Sequence, residues 1–182
     1  HRARGLGVVS MRVAIVIPAR NEAAAVSQVL SELPRHLVHQ VIVADNGSTD
    51  GTATAAAGAG AQVVCEPIPG YGRACLAGLA ALEPSVDVVV FMDADHSDHP
   101  EDLPGLLQPI REGRADLVIG SRIAQAQPGS LTIPQRLGNR LACGLMRWLF
   151  GARYTDLGPF RAIRRSALER LHMEDPAFGW TV

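Results

Sequence analysis

The sequence predicts an α/β protein whose central sheet is mainly parallel and covered by helices on both faces. Short runs rich in Val and Ile alternate with segments whose apolar residues recur at helical spacing. Within these runs apolar and polar residues do not alternate, which is typical of strands buried on both faces. Polar residues follow the ends of several runs, and open α/β sheets bind ligands at the carboxyl ends of their strands. The pattern therefore predicts a ligand site at that edge.

The first half of the chain predicts the order strand, helix, strand, helix. Residues 12–18 are a β-branched apolar run, which indicates a strand. Helical spacing of Ala, Val and Leu predicts a helix over 21–33, which Pro34 ends. The run QVIVAD at 40–45 is the second predicted strand. A Thr-Asp pair that precedes an Ala-rich segment predicts a capped short helix within 49–60.

Five further elements continue the alternation. Residues 61–66 are the third predicted strand, and the glycines of GYGRACLAGLAAL open a helix over 70–82. Five consecutive apolar residues indicate a fourth strand within 85–93. The helix predicted over 100–113 begins with Pro and acidic residues, which are favoured at helix N-termini. Residues 115–121 are the fifth predicted strand.

Length and composition favour one globular domain. The chain has 182 residues, of which 47% are hydrophobic, and no repeat or linker divides it. We expect residues 1–10 to be an N-terminal extension and 11–182 a single domain. The cysteines Cys65, Cys75 and Cys143 form no Cys-x-x-Cys pair and are odd in number, which disfavours a disulfide framework. A reducing compartment is therefore favoured, and the cytoplasm is expected. No apolar run reaches the roughly 18 residues that span a bilayer, so no membrane-spanning segment is expected.

The charged residues exclude some classes of site. All 17 basic residues are Arg, so neither a Schiff-base lysine nor the lysine of a phosphate-binding P-loop is present. Residues 1–110 contain 6 Arg and 12 Asp plus Glu, a net charge of −6, whereas residues 111–182 contain 11 Arg and 6 acids, a net charge of +5. We expect the acidic half to suit a cation and the basic half an anion, with no nucleic-acid partner.

Asp93 and Asp95 form a D-x-D pair at the predicted end of the fourth strand. Within a strand the two carboxylates would point the same way and offer hard oxygen ligands to Mg²⁺ or Mn²⁺. An exposed turn that merely contains Asp is one alternative. A zinc site built from His96, His99 and an Asp is another, although the spacing lacks a helical repeat. A phosphatase with a D-x-D nucleophile is disfavoured, because such enzymes place the pair after the first strand and need a lysine.

Six motifs in order resemble the family 2 glycosyltransferases, especially the dolichyl- or polyprenyl-phosphate mannose and glucose synthases. They are IPARNE at 17–22, VADNGSTDGT at 43–52, GYGRACLAG at 70–78, FMDADHSDHPEDL at 91–103, GSR at 120–122 and TDLGPFRAIRRSAL at 155–168. The resemblance implies a Rossmann-like nucleotide-diphospho-sugar transferase (GT-A) fold. It also implies a metal-dependent hexosyltransferase that uses a UDP- or GDP-linked sugar.

The resemblance assigns roles to the residues that bind the nucleotide sugar. They are Pro18, Ala19, Arg20, Asn21, Glu22, Asp45, Asn46, Gly72, Arg73, Asp93, Ala94 and Asp95. Glu22 would accept hydrogen bonds from the ribose, and Asp45 from the base. Asp93 and Asp95 would hold the Mg²⁺ or Mn²⁺ ion that bridges the diphosphate, and Ala94 would pack at the sugar or ribose. Gly72 and Arg73 open a predicted helix whose first N–H groups favour phosphate.

The acceptor side is predicted from a basic helix. Over residues 134–150, helical geometry places Arg136, Arg140 and Arg147 within about 40° of each other, beside an apolar face. Such a stripe suits a lipid phosphate, although an ordinary amphipathic surface helix has the same pattern. The predicted acceptor-phosphate residues are Arg122, Arg136 and Arg140. The predicted catalytic residues are Asp95, Arg122 and Asp156, and a turn role for Asp156 remains an alternative.

The predicted reaction is inverting transfer to polyprenyl phosphate, whose anionic oxygen needs little help from a general base. One alternative is a retaining transferase with a soluble acceptor such as phosphoglycerate, and another is a non-catalytic nucleotide-binding module. The resemblance further implies peripheral attachment at the inner face of the membrane and leaves a homodimer open. FGW at 178–180 resembles the start of a family motif, so the domain is expected to lack its C-terminal part.

Overall fold

The computed structural model describes residues 11–120 and 158–176. Its strands are β1 (Val13–Ala19), β2 (Gln40–Asp45), β3 (Gln62–Cys65), β4 (Val88–Phe91), β5 (Leu117–Ile119) and β6 (Arg161–Arg164). Its helices are α1 (Val26–Glu32), α2 (Thr52–Gly58), α3 (Tyr71–Ala80), α4 (Leu103–Arg111) and α5 (Arg165–Leu171). Short 3-10 turns lie at Arg35–Leu37 and Pro100–Asp102.

The strands form one sheet in the order β3-β2-β1-β4-β6-β5. The central strand β1 pairs in parallel with β2 and with β4, and β2 pairs in parallel with β3. Strand β6 lies antiparallel to both of its neighbours, β4 and β5. This mainly parallel sheet with helices on both faces confirms the predicted fold class.

Alternate residues of β1 build two apolar layers. Ile15 and Ile17 pack on the face that is covered by α1, α2 and α4, whereas Ala14 and Val16 pack on the face covered by α3 and α5. Helix α3 lies very close to β1, because a Cβ atom added to Gly78 would meet Val16 Cγ1 at 2.4 Å. The buried layers hold the strands in position. The positions of the strand ends then determine where the residues that follow them lie.

The sheet differs from the sequence expectation at two places. Strand β4 ends at Phe91, so Asp93 and Asp95 lie in the loop beyond it rather than on one face of a strand. The short strand β6, RAIR, was not predicted and separates β4 from β5. Four residues with Arg at both ends carry too little apolar pattern to predict a strand. None of the helices within 11–120 and 158–176 combines the length and apolar character needed to span a lipid bilayer.

Candidate active site

The site lies where β1, β2 and β4 end side by side. The register places Ala19 of β1 beside Asp45 of β2, and Val16 of β1 beside Phe91 of β4. The segments that leave these strands therefore converge at one edge, as the sequence predicted. Strand β6 runs in the opposite direction, so its first residue, Arg161, reaches the same edge.

The turn after β1 is tied to the loop after β2. Asn21 has a φ of 59°, and its side-chain oxygen accepts from the Thr49 N–H at 2.8 Å. The Asn21 N–H donates to the Ser48 hydroxyl at 3.0 Å, and the Glu22 N–H donates to the Thr52 hydroxyl at 2.8 Å. Asn21 thus shapes the turn, and Glu22 is held at a defined place on the edge.

Glu22 shares the edge with other carboxylates. Desolvation by burial raises its pKa from the ordinary value of 4.5, and the negative charges of Asp95 and Asp50 raise it further. The side chain therefore lies close enough to Asp95 to feel its charge. A cation between such carboxylates would relieve their repulsion.

Asp45 and Asn46 have different roles although they are neighbours. Asp45 is 7% exposed, and its buried Oδ1 atom has no hydrogen-bond partner among residues 11–120 and 158–176. A buried acceptor without a donor is costly, and a ligand N–H would satisfy it. Asn46 instead donates to the carbonyl oxygens of Glu66 and Ile68 and accepts from the Gly70 N–H at 2.7 Å. The Asn46 amide therefore hydrogen-bonds to the loop that leads into α3.

A cavity of about 580 Å³ opens beside these residues. It is lined by Pro18, Ala19, Arg20, Asn46, Pro69, Gly70, Tyr71, Arg73, Ala74 and Pro176. Five of the twelve predicted donor-binding residues are in this set, and the exposed Arg20 provides a positive charge at its edge. The volume suits a nucleotide-sized ligand.

The N-terminus of α3 forms one wall of this cavity but differs from expectation. The Arg73 N–H donates to the Pro176 carbonyl at 3.2 Å, so this donor is already paired. Gly72 is buried within the first turn of the helix. The sequence pattern could not show this pairing, because Pro176 comes from a segment about 100 residues further along the chain.

The D-x-D loop is ordered by its own polar groups. Asp93 is half-buried, and the Tyr71 hydroxyl donates to its Oδ1 atom at 3.5 Å. Asp98 is 2% exposed and accepts from the Asp93 N–H at 3.0 Å. The exposed Asp95 accepts from the Ser97 N–H at 2.9 Å. Tyr71 and Asp98 thus hold this loop in place. Both lie within the quoted motifs, but the sequence reasoning gave neither a role, because a motif does not show which of its side chains contact each other.

Ala94 lies between the two carboxylates but points elsewhere. Its side chain is 3% exposed and belongs to the apolar layer that includes Leu103 and Leu107. The side chain thus has a packing role, and its contact with a sugar or ribose stays a prediction. Burial of the small side chain anchors the loop between its two acidic residues.

The loop histidines pair with glutamates. His96 Nε2 lies 2.7 Å from Glu32 Oε2, and His99 Nδ1 lies 3.4 Å from Glu101 Oε1. Hydrogen bonds from Gln28 and from His96 lower the pKa of Glu32. Within the described ranges, no cluster of three or more His, Cys, Asp or Glu residues could hold a metal ion. A zinc site at these histidines finds no support there.

The remaining predicted residues lie outside the described part of the chain. They are the acceptor-side and catalytic residues Arg122, Arg136, Arg140 and Asp156, the helix over 134–150, and the FGW segment at 178–180. Gly120, the last described residue before them, donates its N–H to the Phe160 carbonyl at 2.8 Å. Gly120 directly follows β5 and therefore lies at the same edge of the sheet.

Comparison with known proteins gives three results. A sequence profile of glycosyl transferase family 2 matches residues 14–172. An uncharacterized glycosyltransferase of Mycobacterium tuberculosis is 41% identical over 173 residues, which cover 92% of this chain and 74% of that protein. An undecaprenyl-phosphate mannosyltransferase of Micrococcus luteus is 34% identical over 189 residues, which cover 94% of this chain and 75% of that protein.

A solved structure extends the likeness to three dimensions. Glucosyl-3-phosphoglycerate synthase from Mycobacterium tuberculosis, in complex with Mn²⁺, UDP and phosphoglyceric acid, has a TM-score of 0.68 and 29% identity. The match covers 92% of this chain and 63% of that chain, so this chain spans less than two thirds of the solved one. From these matches and from the sheet described above, the chain belongs to glycosyl transferase family 2 and has the GT-A fold.

Proposed function

We propose that this chain carries the donor-binding part of a metal-dependent glycosyltransferase that moves a sugar from a nucleoside diphosphate to a phosphate-bearing acceptor. The observation that carries the proposal is the carboxyl edge of the sheet. There a buried carboxylate oxygen of Asp45 accepts from no donor in the described part of the chain, and the Asp93 and Asp95 carboxylates lie on the other side of β1. One side suits a nucleotide base and the other suits a cation.

The residues present fit a divalent cation that is shared with the donor. Asp93 and Asp95 offer hard oxygen atoms, and Asp95 already raises the pKa of Glu22 by its negative charge. In the described part of the chain these two carboxylates are not joined by a third clustered ligand, which leaves room for diphosphate oxygens and water, and Mg²⁺ and Mn²⁺ accept both. When bound, the ion would stabilise the charge that develops on the departing diphosphate.

The chain's own residues would position the donor. Asp45 would accept from a base N–H, and Glu22 from ribose hydroxyls, while Arg20 borders the cavity with a positive charge. Asn46 would act indirectly, by holding the loop at 66–70 that lines the same cavity. None of these groups needs to change charge during transfer, so they serve binding more than chemistry.

For the acceptor we favour polyprenyl phosphate over phosphoglycerate. The undecaprenyl-phosphate mannosyltransferase aligns with 94% of this chain, whereas glucosyl-3-phosphoglycerate synthase aligns in sequence with 60%. A phosphate oxygen is already anionic near neutral pH and would attack the anomeric carbon directly, which favours inversion. The arginines Arg122, Arg136 and Arg140 would neutralise the acceptor phosphate.

The test offers UDP- and GDP-linked hexoses with Mn²⁺ to the full chain, either with polyprenyl phosphate in vesicles or with phosphoglycerate. Lipid-linked sugar as the product supports the proposal, and product from phosphoglycerate alone would replace the acceptor assignment. Asp95→Asn should abolish the Mn²⁺ dependence of donor binding, measured by calorimetry. Nucleotide binding without turnover on either acceptor would indicate a non-catalytic module and would contradict the transfer reaction.

A further inference from the structure

We infer that Glu32, on α1, is a positioning residue for the Asp93 and Asp95 carboxylates and acts through His96. The inference rests on the proposed function, because it assumes that the two aspartates hold the cation. Glu32 lies 64 residues before His96 in the sequence, and their side chains meet at 2.7 Å. The pair therefore joins the element that follows β1 to the loop that follows β4.

The backbone of His96 needs such support. Its φ of 62° lies in the left-handed region, which a residue other than glycine adopts rarely and keeps only when its surroundings hold it. His96 follows Asp95 directly, so a change in its backbone would redirect the Asp95 carboxylate. Two side chains of α1 face this strained residue: Glu32 Oε2 lies 2.7 Å from His96 Nε2, and Gln28 Nε2 lies 3.4 Å from the same atom.

Glu32 is itself held in place. Gln28, one helical turn earlier on α1, donates to Glu32 Oε1 at 3.0 Å and leaves Oε2 directed at His96. Helix α1 begins directly after the turn that contains Glu22. The arrangement thus couples the nucleotide side of the edge to the carboxylate side.

The other end of the loop is anchored independently. Asp98 is buried and accepts from the Asp93 N–H at 3.0 Å. With Asp93 fixed by Asp98, and His96 fixed by Glu32, the exposed Asp95 lies between two anchors. Preorganised carboxylates lose little conformational entropy when they bind a cation. Loosening one anchor should therefore weaken cation binding.

The test measures Mn²⁺ binding to the full chain by electron paramagnetic resonance in the presence of UDP, without turnover. Glu32→Gln should raise the half-saturating Mn²⁺ concentration by up to about fivefold, the upper end of the range for a partly exposed side-chain pair. His96→Asn should do the same, because Asn tolerates a positive φ but does not reach Glu32. The double variant should be no worse than either single variant if both act through one contact.

The chain offers a matched control. His39 Nε2 lies 2.7 Å from Glu83 Oε2 at the opposite edge of the sheet, with a similar exposure of the histidine. Glu83→Gln should change the melting temperature as Glu32→Gln does but leave the Mn²⁺ half-saturation unchanged. If Glu32→Gln also leaves the half-saturating Mn²⁺ concentration unchanged, the inference about Glu32 is wrong and the proposed function stands. If the unsubstituted chain shows no saturable Mn²⁺ binding with UDP, the proposed function fails as well.

Discussion

At the scale of single residues, the site is marked by polar atoms that lack partners. Asp45 Oδ1, Ser97 Oγ and Arg161 Nη2 are buried without a hydrogen bond within the described part of the chain, and all belong to the carboxyl edge. At the amino edge, Gln40 uses both ends of its amide, with Gln62, the Ala81 carbonyl and the Glu83 N–H. Burying a polar atom without a hydrogen-bond partner costs free energy. The position of all three atoms at one edge is therefore consistent with a ligand that supplies their hydrogen bonds.

Asp45 should control nucleotide affinity. Asp45→Ala removes a charged acceptor worth about 1.5 to 3 kcal/mol, so the Kd for UDP or GDP should rise about tenfold to hundredfold. Isothermal calorimetry measures this change. Asp87→Asn is the control, because Asp87 accepts from the Arg12 N–H at 2.8 Å at the opposite edge and should affect stability alone. An Asp45→Ala variant that folds and binds both nucleotides as the parent does would exclude the assignment.

Glu22 should make stability depend on pH. Its pKa is raised in the folded chain, so the folded state holds the proton more tightly, and the ionised form carries a penalty at neutral pH. Glu22→Gln should therefore increase the free energy of unfolding at neutral pH. The gain should vanish as the pH falls through the raised pKa and below the ordinary value of 4.5. Urea unfolding between pH 4 and 7 measures it.

Two controls complete the Glu22 experiment. The exposed Glu174 should give a Gln variant whose stability difference does not change with pH in this way. In turnover assays, Glu22→Gln should raise the KM for the donor and leave kcat nearly unchanged, since ribose contacts do not change during transfer. A large loss of kcat at saturating donor would instead place Glu22 in the chemical step.

At the scale of elements, close packing of α3 on β1 holds the cavity wall in place. Gly78 of α3 faces Val16, which is fully buried and β-branched and cannot move aside easily. The Arg73 N–H and the Pro176 carbonyl join the first turn of the same helix to the segment that follows α5. A shift of α3 would therefore alter the cavity that Tyr71 and Arg73 line.

Gly78→Ala should destabilise the fold by about 1 to 3 kcal/mol, because the added methyl group would meet Val16 at 2.4 Å in a filled core. Gly105→Ala in α4 is the matched control, since no atom of the described residues lies within 4 Å of its added Cβ atom. Alanine there should stabilise the helix by up to about 1 kcal/mol. Thermal unfolding of both variants separates helix propensity from packing, and equal shifts would contradict the close approach.

At the scale of the whole molecule, arginines of the basic half pair with groups at the amino edge of the sheet. Carboxylates gather at the carboxyl edge, whereas at the amino edge Asp116 pairs with Arg164 at 2.9 Å and Arg170 at 3.6 Å. Arg165 donates to the Glu83 carbonyl at 2.7 Å. Several arginines of the basic half therefore stabilise the fold, so the net charge of that half overstates its capacity for an anion.

The predicted acceptor arginines can be tested against this background. Arg136→Ala and Arg140→Ala should each raise the KM for the acceptor about tenfold to hundredfold, because each removes a charge-assisted hydrogen bond. The donor Kd should stay the same. Arg170→Ala removes an equal charge at the amino edge and should change neither value. If donor binding and acceptor binding weaken equally, these arginines would instead be assigned to the diphosphate of the donor.

The sequence by itself determined the α/β class, the first four strands and the edge that carries the site. These features follow from local patterns: apolar runs long enough to predict strands, and polar residues directly after them. The placement of Asp45 and of the Asp93 and Asp95 pair at one edge followed from the same rule. The motif at 91–103 did not show which of its carboxylates would be buried, because Asp93, Asp95 and Asp98 have the same side chain and lie close together in sequence.

Only the tertiary structure decided which of these side chains are buried, which are exposed at the edge and which hold the loops. It placed β6 between β4 and β5, directed the Asn46 amide to the loop at 66–70, and paired Glu32 with His96. Each of these depends on contacts between residues far apart in the chain, such as the 64 residues that separate Glu32 from His96. Local periodicity reports which face of an element is buried, but the partner of a polar side chain is fixed only when separate elements pack together.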